Sequence, residues 1–167
     1  MDSDSISYEA RILDKTPVGP LTIYVSDVGL AKIAFGKQAE VHTGDAQLER
    51  LAEQAVQELT EYFYAGRRVF TLPIDWRAMQ PYQEKVLRAC DAIPYGQTRT
   101  YGDLARQTGS PGSARAVGRI MASNPIPIVI PCHRVVGTDG KLHGYGSPGG
   151  VDDKAQLLAL EGQRIVA

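Results

Sequence analysis

Apolar and polar positions alternate over short runs in the first part of the chain, which is the pattern of half-buried β-strands. Residues 8–34 contain three such runs. Residues 17–20 and 27–29, rich in proline, glycine and aspartate, separate them and predict turns. The pattern therefore predicts a small antiparallel sheet near the N-terminus.

The apolar period changes from two to about 3.6 after this region, which predicts a helix between Asp45 and Gly66. Asp45 is a good N-cap, and Gly66 suits the end of the helix. Residues 70–76 then predict an extended segment. The apolar face of the helix consists of Leu48, Leu51, Ala52, Ala55, Leu59, Tyr62 and Phe63.

A second helix is predicted from Pro81 to about Cys90, because proline is favoured at the first helical position. Tyr82, Val86 and Cys90 fall on one stripe at a spacing of four. We therefore expect Cys90 to be a buried core thiol rather than a reactive one.

Thr100 and Asp103 have the spacing of a capping box, with aspartate where glutamate is usual. They predict a helix from Tyr101 to about Gln107, which Gly109 would end.

Ser110 and Pro111 are a good N-cap and first residue for the next helix, which runs to about Ala122. Two helices with a glycine at their joint have the spacing of a helix-turn-helix. Helix pairs are common, so this spacing alone is weak evidence. Arg115 and Arg119 strengthen it, because they lie four apart on one face of the second helix.

The chain has 167 residues and a formal net charge of −1, but its halves differ. Residues 1–78 hold 8 basic and 12 acidic side chains, and residues 79–167 hold 10 and 7. This shift predicts two domains with those boundaries. A local basic surface suits a polyanion such as nucleic acid, but on charge alone a solvated surface is the preferred explanation. Two cysteines exclude a disulfide scaffold and predict a reducing, cytoplasmic location.

The stretch with the most chemical information is residues 124–135. Its apolar run, residues 126–130, contains a proline and cannot be an ordinary central strand. Cys132 follows, with His133 and Arg134 directly after it. A nearby cation would lower the pKa of the thiol, as a nucleophile needs. Adjacent side chains of an extended chain point apart, so Cys132 and His133 could cooperate only through a turn or a water. A structural cysteine beside a surface histidine is the alternative.

The motif Pro-Cys-His-Arg-Val at residues 131–135 resembles the active-site motif of the O6-alkylguanine-DNA alkyltransferases. The resemblance covers residues 76–162, and in the N-terminal half it extends only to a first hairpin at residues 17–21. It implies a two-part α+β fold, with a small antiparallel sheet and a helix followed by a helical domain containing a helix-turn-helix. Further matching motifs lie at residues 93–98, 100–101, 114–118, 124–125 and 158–162.

The resemblance also implies catalytic roles. Cys132 would accept the alkyl group, His133 would activate it through a bridging water, and Glu161 would orient that histidine. Asn124 would hold the active-site turn together. Tyr101 would turn the DNA phosphate and donate a proton to N3 of guanine.

Contacts with DNA are implied on the helix-turn-helix. Arg115 resembles the residue that enters the base stack when the damaged nucleotide is flipped out. The other DNA-binding residues predicted are Tyr101, Arg119, Arg134, Ala116 and Gly118.

The resemblance implies a substrate pocket in which the carbonyl groups of Cys132 and Val135 read the guanine amine. About two more residues separate Tyr145 from Lys154 than in the family. The longer loop would either bulge into solvent without effect or change the width of the pocket. We expect His143, in the same glycine-rich region, to be a surface residue or a DNA or substrate contact. The predicted pocket residues are Val135, Tyr145, Gly146 and Ser147.

The implied function is DNA repair by direct reversal. One alkyl group would pass from O6-alkylguanine, and from O4-alkylthymine, in double-stranded DNA to Cys132, with no cofactor. The protein would bind the minor groove as a monomer, with cooperative binding left open. Some relatives carry an N-terminal zinc site, but this half has no cysteine and only His42, so we expect no metal.

Three alternatives remain at this stage. A lesion-binding relative without repair activity would lack the acceptor cysteine. A Cys-His hydrolase would need turnover on an ester or amide. A helix-turn-helix regulator would need sequence-specific binding and normally a dimer interface.

Overall fold

The computed structural model describes residues 5–109 and 113–163. Its internal contacts separate the chain into two units, which divide between Ala78 and Met79. Each unit is described by itself below.

The N-terminal unit contains a three-stranded antiparallel sheet with the order β1 (Glu9–Leu13), β2 (Leu21–Val25) and β3 (Leu30–Phe35). The central strand has its apolar side chains fully buried, as expected for the middle of a sheet that packs on a helix. The two links between strands fall at the predicted turns. The sheet predicted from the alternating pattern is therefore confirmed.

Helix α1 (Ala46–Tyr64) packs on β1 and β2 through its apolar face. The Asp45 carboxylate accepts hydrogen bonds from the main-chain N–H groups of Gln47 and Leu48, at 2.9 and 3.3 Å. Gly66 has a φ of +75°, which suits the residue after a helix end. Both predicted ends are therefore confirmed.

The segment predicted to be extended, residues 70–76, forms no strand. Only Ile74 makes a β-bridge, with Leu30 at the edge of the sheet. The Leu30 N–H donates to the Pro73 carbonyl, and the Asp75 N–H donates to the Leu30 carbonyl, both at 2.8 Å. These two hydrogen bonds hold the segment against the edge of the sheet. The extended part of this segment is therefore limited to a single bridge at the start of β3.

The C-terminal unit is mainly helical, as predicted. Pro81 is the first residue of its first helix, and Cys90 is fully buried on the inner face of that helix. The elements are α2 (Pro81–Asp91), β4 (Arg99–Thr100), α3 (Tyr101–Gln107), α4 (Ala114–Ala122), a 3-10 helix (Cys132–Arg134), β5 (Val135–Val136) and α5 (Val151–Leu160).

Helices α3 and α4 pack against each other as the pair predicted from sequence. The capping box at the start of α3 is present: the Asp103 N–H donates to the Thr100 hydroxyl, and the Thr100 N–H donates to the Asp103 carboxylate, both at 2.9 Å. The cap predicted for α4 at Ser110 and Pro111 lies outside the described residues.

A parallel pairing of β4 with β5 connects the helix pair to the cysteine motif. Tyr101 directly follows β4, and the 3-10 helix directly precedes β5. Tyr101 and Cys132 both line one cavity of this unit. Among the described residues, no helix has the length and apolarity to cross a membrane.

Candidate active site

The segment before the cysteine is held in a strained conformation. Residues 126–130 are buried without forming a strand, and Ile128 has a φ of +76°, which is rare for a β-branched residue. The Asn124 amide donates to the Ile130 carbonyl at 2.9 Å, and its oxygen accepts from the Ile126 N–H at 3.0 Å. Asn124 therefore closes this turn, in the position that the resemblance implied.

Cys132 and His133 lie in a 3-10 turn rather than in an extended chain. The Arg134 N–H donates to the Pro131 carbonyl at 2.8 Å, and the Val135 N–H donates to the Cys132 carbonyl. In such a turn adjacent side chains are not forced to opposite faces. The geometric obstacle to cooperation between Cys132 and His133 is therefore removed.

His133 is fully buried, so the alternative of a surface histidine is wrong. Its Nε2 lies 2.8 Å from Oε2 of Glu161, at the C-terminal end of α5. A carboxylate can only accept, so Nε2 carries the proton and Nδ1 has the free lone pair. Burial lowers the pKa of His133, while Glu161 counteracts this effect. The imidazole is therefore neutral and can accept a proton at Nδ1.

Arg134 was predicted to bind DNA, and the structure corrects this. It is 6% exposed, and its Nε and Nη2 donate to the two oxygens of Glu161 at 2.7 and 2.9 Å. Its Nη1 donates to the Ile93 carbonyl at 2.7 Å. The guanidinium thus neutralises the buried Glu161 carboxylate. This carboxylate lies at the C-terminal end of α5, where the helix dipole disfavours a negative charge. Arg134 supports the His133–Glu161 pair from inside the protein.

The expectation that nearby cations lower the pKa of Cys132 is also wrong for the resting protein. Burial raises the pKa of Cys132 more than a hydrogen bond from Asn124 and the charge of Lys154 lower it. The charge of Arg134 is already engaged by Glu161. Cys132 is therefore a thiol at rest and needs a base to become a nucleophile.

Cys132 borders a cavity of about 540 Å³ between the helix pair and the loop after β5. Tyr145 and Gly146, which were predicted to form the substrate pocket, line this cavity. Arg115 and Gly118, which were predicted to bind DNA, also line it. Its complete lining is Tyr101, Ala114, Arg115, Gly118, Met121, Ala122, Cys132, His143, Gly144, Tyr145 and Gly146.

The remaining predicted residues of α4 lie outside the cavity lining. Arg119 is exposed, one turn after Arg115, and Ala116 is partly buried. Both arginines are thus accessible to a large ligand on one face of the helix.

Two predicted pocket residues, Val135 and Ser147, do not line the cavity. The Val135 side chain is fully buried, and its main chain pairs with Arg99 in the two-stranded sheet. Ser147 is 8% exposed, and its hydroxyl donates to the Asp153 carboxylate.

The longer loop after Tyr145 folds back onto α5. The Asp153 carboxylate accepts from the Ser147 hydroxyl and from the Gly149 N–H at 3.0 Å. The Gly150 N–H donates to the Ser147 carbonyl at 3.0 Å. The additional residues thus form a cap at the start of the helix rather than a wall of the cavity.

Two further residues lie at or beside the cavity: His143, which the sequence left as a surface residue or a DNA or substrate contact, and Lys154, to which the sequence assigned no role. His143 lines it, with its ring edge-on to Tyr101 and Nε2 3.2 Å from Asp139. Lys154 is 1% exposed and places its ammonium 3.3 Å from the Tyr101 hydroxyl. Lysine early in an amphipathic helix normally indicates a solvated position, so the sequence held no signal for its burial.

No group of His, Cys, Asp and Glu in the described ranges could hold a metal ion.

The family models identify both units. Residues 81–163 match the model described as "6-O-methylguanine DNA methyltransferase, DNA binding domain", and residues 9–76 match its "ribonuclease-like domain". Together these matches cover most of the chain. They define a class of protein in which a DNA-binding domain carries a reactive cysteine.

Similar proteins span nearly the whole length of the chain. The methylated-DNA–protein-cysteine methyltransferase of Mycobacterium tuberculosis is 48% identical over 159 residues, 94% of each chain. That of Methanosarcina acetivorans is 38% identical over 151 residues, 89% of this chain and 95% of the relative. The crystal structure of M. tuberculosis OGT in complex with DNA has a TM-score of 0.78 and 40% identity, covering 95% of each chain. The chain therefore belongs to the 6-O-methylguanine DNA methyltransferase family.

Proposed function

We propose that this protein repairs alkylated DNA by moving the alkyl group from O6-alkylguanine to its own Cys132. One observation carries the proposal. A buried cysteine borders a cavity large enough for a base, and the neutral imidazole of His133, oriented by Glu161, directly follows it in the chain.

The reaction begins with removal of the thiol proton. The proton passes from Cys132 to Nδ1 of His133 through a bridging water, and Glu161 stabilises the imidazolium that forms. Arg134 holds Glu161 in the orientation that this step requires.

The sulfur then attacks the alkyl carbon in line with the bond to O6. The S–C bond forms as the C–O6 bond breaks, and the electron pair of the broken bond goes to the guanine. The hydroxyl of Tyr101, a residue of the cavity lining, gives a proton to N3 of the leaving base. The alkyl group moves directly to sulfur, so no cofactor takes part.

The product on Cys132 is a thioether, which is a poor leaving group. Each molecule therefore reacts once. The same chemistry applies to O4-alkylthymine. We also expect a cytoplasmic location, because a reducing environment would keep the Cys132 thiol free before it reacts.

The damaged nucleotide must leave the duplex before Cys132 can reach it. Arg115, exposed on α4 and on the rim of the cavity, would occupy the space that the nucleotide leaves. Helix α4 would approach the minor groove, where sequence information is degenerate, and so repair would not depend on sequence. One monomer supplies the complete site, because every residue assigned to it lies in the C-terminal unit.

Mass spectrometry after mixing with a duplex containing O6-methylguanine tests the function. We expect one methyl group per protein molecule, on the peptide that contains Cys132. An unmodified protein that binds the lesion would indicate a damage sensor, and methylation elsewhere would contradict the assignment of Cys132. A Cys-His hydrolase would leave the protein unmodified and show turnover on an ester.

A further inference from the structure

A histidine and an aspartate form a pair at the cavity, on the loop that connects β5 to α5. His143 lines the cavity, and its Nε2 lies 3.2 Å from Oδ1 of Asp139. The two side chains are 50% and 48% exposed, whereas Cys132 is buried. The His143–Asp139 pair therefore lies at the rim of the cavity, where it opens to solvent.

The backbone of this loop is shaped around the His143–Asp139 pair. His143 has a φ of +58°, a left-handed conformation that is uncommon outside glycine. Gly137 provides space for the pair, because a Cβ at that position would overlap both the imidazole and the Asp139 carboxylate. Strained backbone of this kind is concentrated at functional sites, where neighbouring contacts hold it in place. The loop therefore fixes the position of the imidazole through its main chain as well as through Asp139.

The contact with Asp139 assigns the two ring nitrogens of His143. A carboxylate only accepts, so Nε2 carries a proton and Nδ1 is the nitrogen left for a ligand. In the neutral ring Nδ1 accepts a hydrogen bond, and in the imidazolium it donates one. A hydrogen bond from the Lys141 main chain and the contact with His143 lower the pKa of Asp139, so its carboxylate is ionised and favours the imidazolium. Protonated His143 can therefore bind an anion through Nδ1.

The arrangement of the rim indicates which anion would reach His143. Arg115 lines the cavity from α4, and His143 lines it from the loop. The described lining contains no aspartate or glutamate. A nucleotide that enters between the helix and the loop carries a backbone phosphate on each side, and these phosphates stay at the rim while the base goes in. Under the proposed function Arg115 fills the space left in the duplex, which leaves His143 as the cation of the described rim nearest to such a phosphate.

We propose that protonated His143 donates a hydrogen bond from Nδ1 to a backbone phosphate of the flipped nucleotide. This inference rests on the proposed function. It adds a contact on the loop to the DNA contacts predicted on α3 and α4, and it makes the binding of the flipped state depend on pH. A phosphate contact fixes the position of the nucleotide without reading its sequence.

The sign of the pH dependence follows from the groups around His143. These groups are Asp139 and Lys141 on the same loop, Tyr101 on α3, Lys154 on α5, and Arg115 across the cavity on α4. Asp139 supplies a negative charge, and burial raises the pKa of Tyr101, which is therefore neutral. A bound phosphate adds a second negative charge and favours the imidazolium further, so binding of the flipped nucleotide takes up a proton. We therefore expect tighter binding at pH 6 than at pH 8, the range in which histidine usually changes its charge.

Single-turnover methyl transfer, measured against the concentration of an O6-methylguanine duplex at pH 6 and pH 8, tests the inference. His143→Asn removes the charge and keeps a residue that tolerates a positive φ. At pH 6 the half-saturating concentration should rise about fivefold, the upper end of the contribution of an exposed charge pair. At pH 8 it should rise less than about twofold, because the wild-type imidazole is then mostly neutral. The maximal rate should not change at either pH, since His143 takes no part in the chemical step.

His42→Asn is the matched control, because it removes an exposed histidine from the N-terminal unit, and it should keep the wild-type dependence on pH. An equal rise for His143→Asn at both pH values, or no rise at either, would overturn the proposal. If His143→Asn does not fold, as thermal unfolding would show, His143→Gln carries the same comparison.

Transfer from the free base O6-benzylguanine separates a phosphate contact from a contact with the base. The free base has no phosphate, so His143→Asn should react with it at the wild-type rate at pH 6. An equal loss on the duplex and on the free base would place His143 against the base and overturn the proposal. The slope of log affinity against log salt for the duplex should also fall by about one at pH 6, as expected for one lost phosphate contact. Failure of the wild type to methylate Cys132 would instead contradict the proposed function.

Discussion

Exclusion of water determines the behaviour of each ionisable side chain at the site. Burial raises the pKa of Cys132 and lowers the pKa of His133, so the resting pair is a neutral thiol and a neutral imidazole. Arg134 donates two hydrogen bonds to the Glu161 carboxylate in the same region and places a positive charge beside it. Activation of the cysteine is therefore a proton transfer within the site rather than a permanent property of the thiol.

Glu161→Gln should slow methyl transfer by at least tenfold, because His133 loses the charge that stabilises its protonated form. The lost charge had raised the pKa of His133, so that pKa falls further in the variant. The acidic inflection of the pH–rate curve should therefore move to lower pH. An unchanged curve would mean that Glu161 does not act through His133.

Arg134→Met should destabilise the protein by about 3 kcal/mol, because the buried Glu161 carboxylate loses its main partner. Chemical denaturation measures the loss. DNA affinity of the folded variant, measured at low temperature, should equal that of the wild type. Arg119→Ala, which removes an exposed arginine, should weaken DNA binding and reduce its salt dependence instead. Weakened DNA binding by folded Arg134→Met would restore the original assignment.

Local sequence signals were sufficient for most of the elements. The caps of α1 and α3 and the first residue of α2 depend on neighbours within a few positions, and the sequence predicted all three. The role of Arg134 depends on contacts 27 and 41 positions away, which no local pattern contains. The burial of Lys154 likewise depends on Tyr101, 53 positions away. Local capping could thus be predicted, whereas long-range electrostatics could not.

The loop before α5 yields a prediction at the scale of the element. Ser147→Ala removes the bond to Asp153 and should lower stability by about 1 kcal/mol. The ratio of benzyl to methyl transfer should not change, because Ser147 does not line the cavity. Thermal unfolding and the two rates measure these effects. A changed ratio with unchanged stability would mean that the longer loop controls substrate size.

At the scale of the whole molecule, an exposed arginine helix and a reactive cavity share one face of the C-terminal unit. Arg115 belongs to both, since it is exposed on α4 and lines the cavity. Under the proposed function, this arrangement would link recognition of the duplex to access to Cys132. The link requires that Arg115 acts on nucleotide flipping and not on the chemical step.

Arg115→Ala should therefore reduce repair of duplex DNA more than transfer from the free base O6-benzylguanine. Flipping costs a few kcal/mol, and a free base does not incur this cost. The comparison uses single-turnover rates on the two substrates with the same protein preparation. Equal losses on both would place Arg115 in the chemical step.

The assignment of Cys132 as the acceptor is the central claim, and the two cysteines of the chain provide a matched pair for testing it. Cys132→Ala and Cys90→Ala are each mixed with a duplex carrying a radiolabelled O6-methylguanine, and the label on the protein is counted. We predict no label on Cys132→Ala, which should still bind the duplex because phosphate contacts lie elsewhere. Cys90→Ala should take up one label per molecule. Label on Cys132→Ala, or its loss from folded Cys90→Ala, would contradict the account.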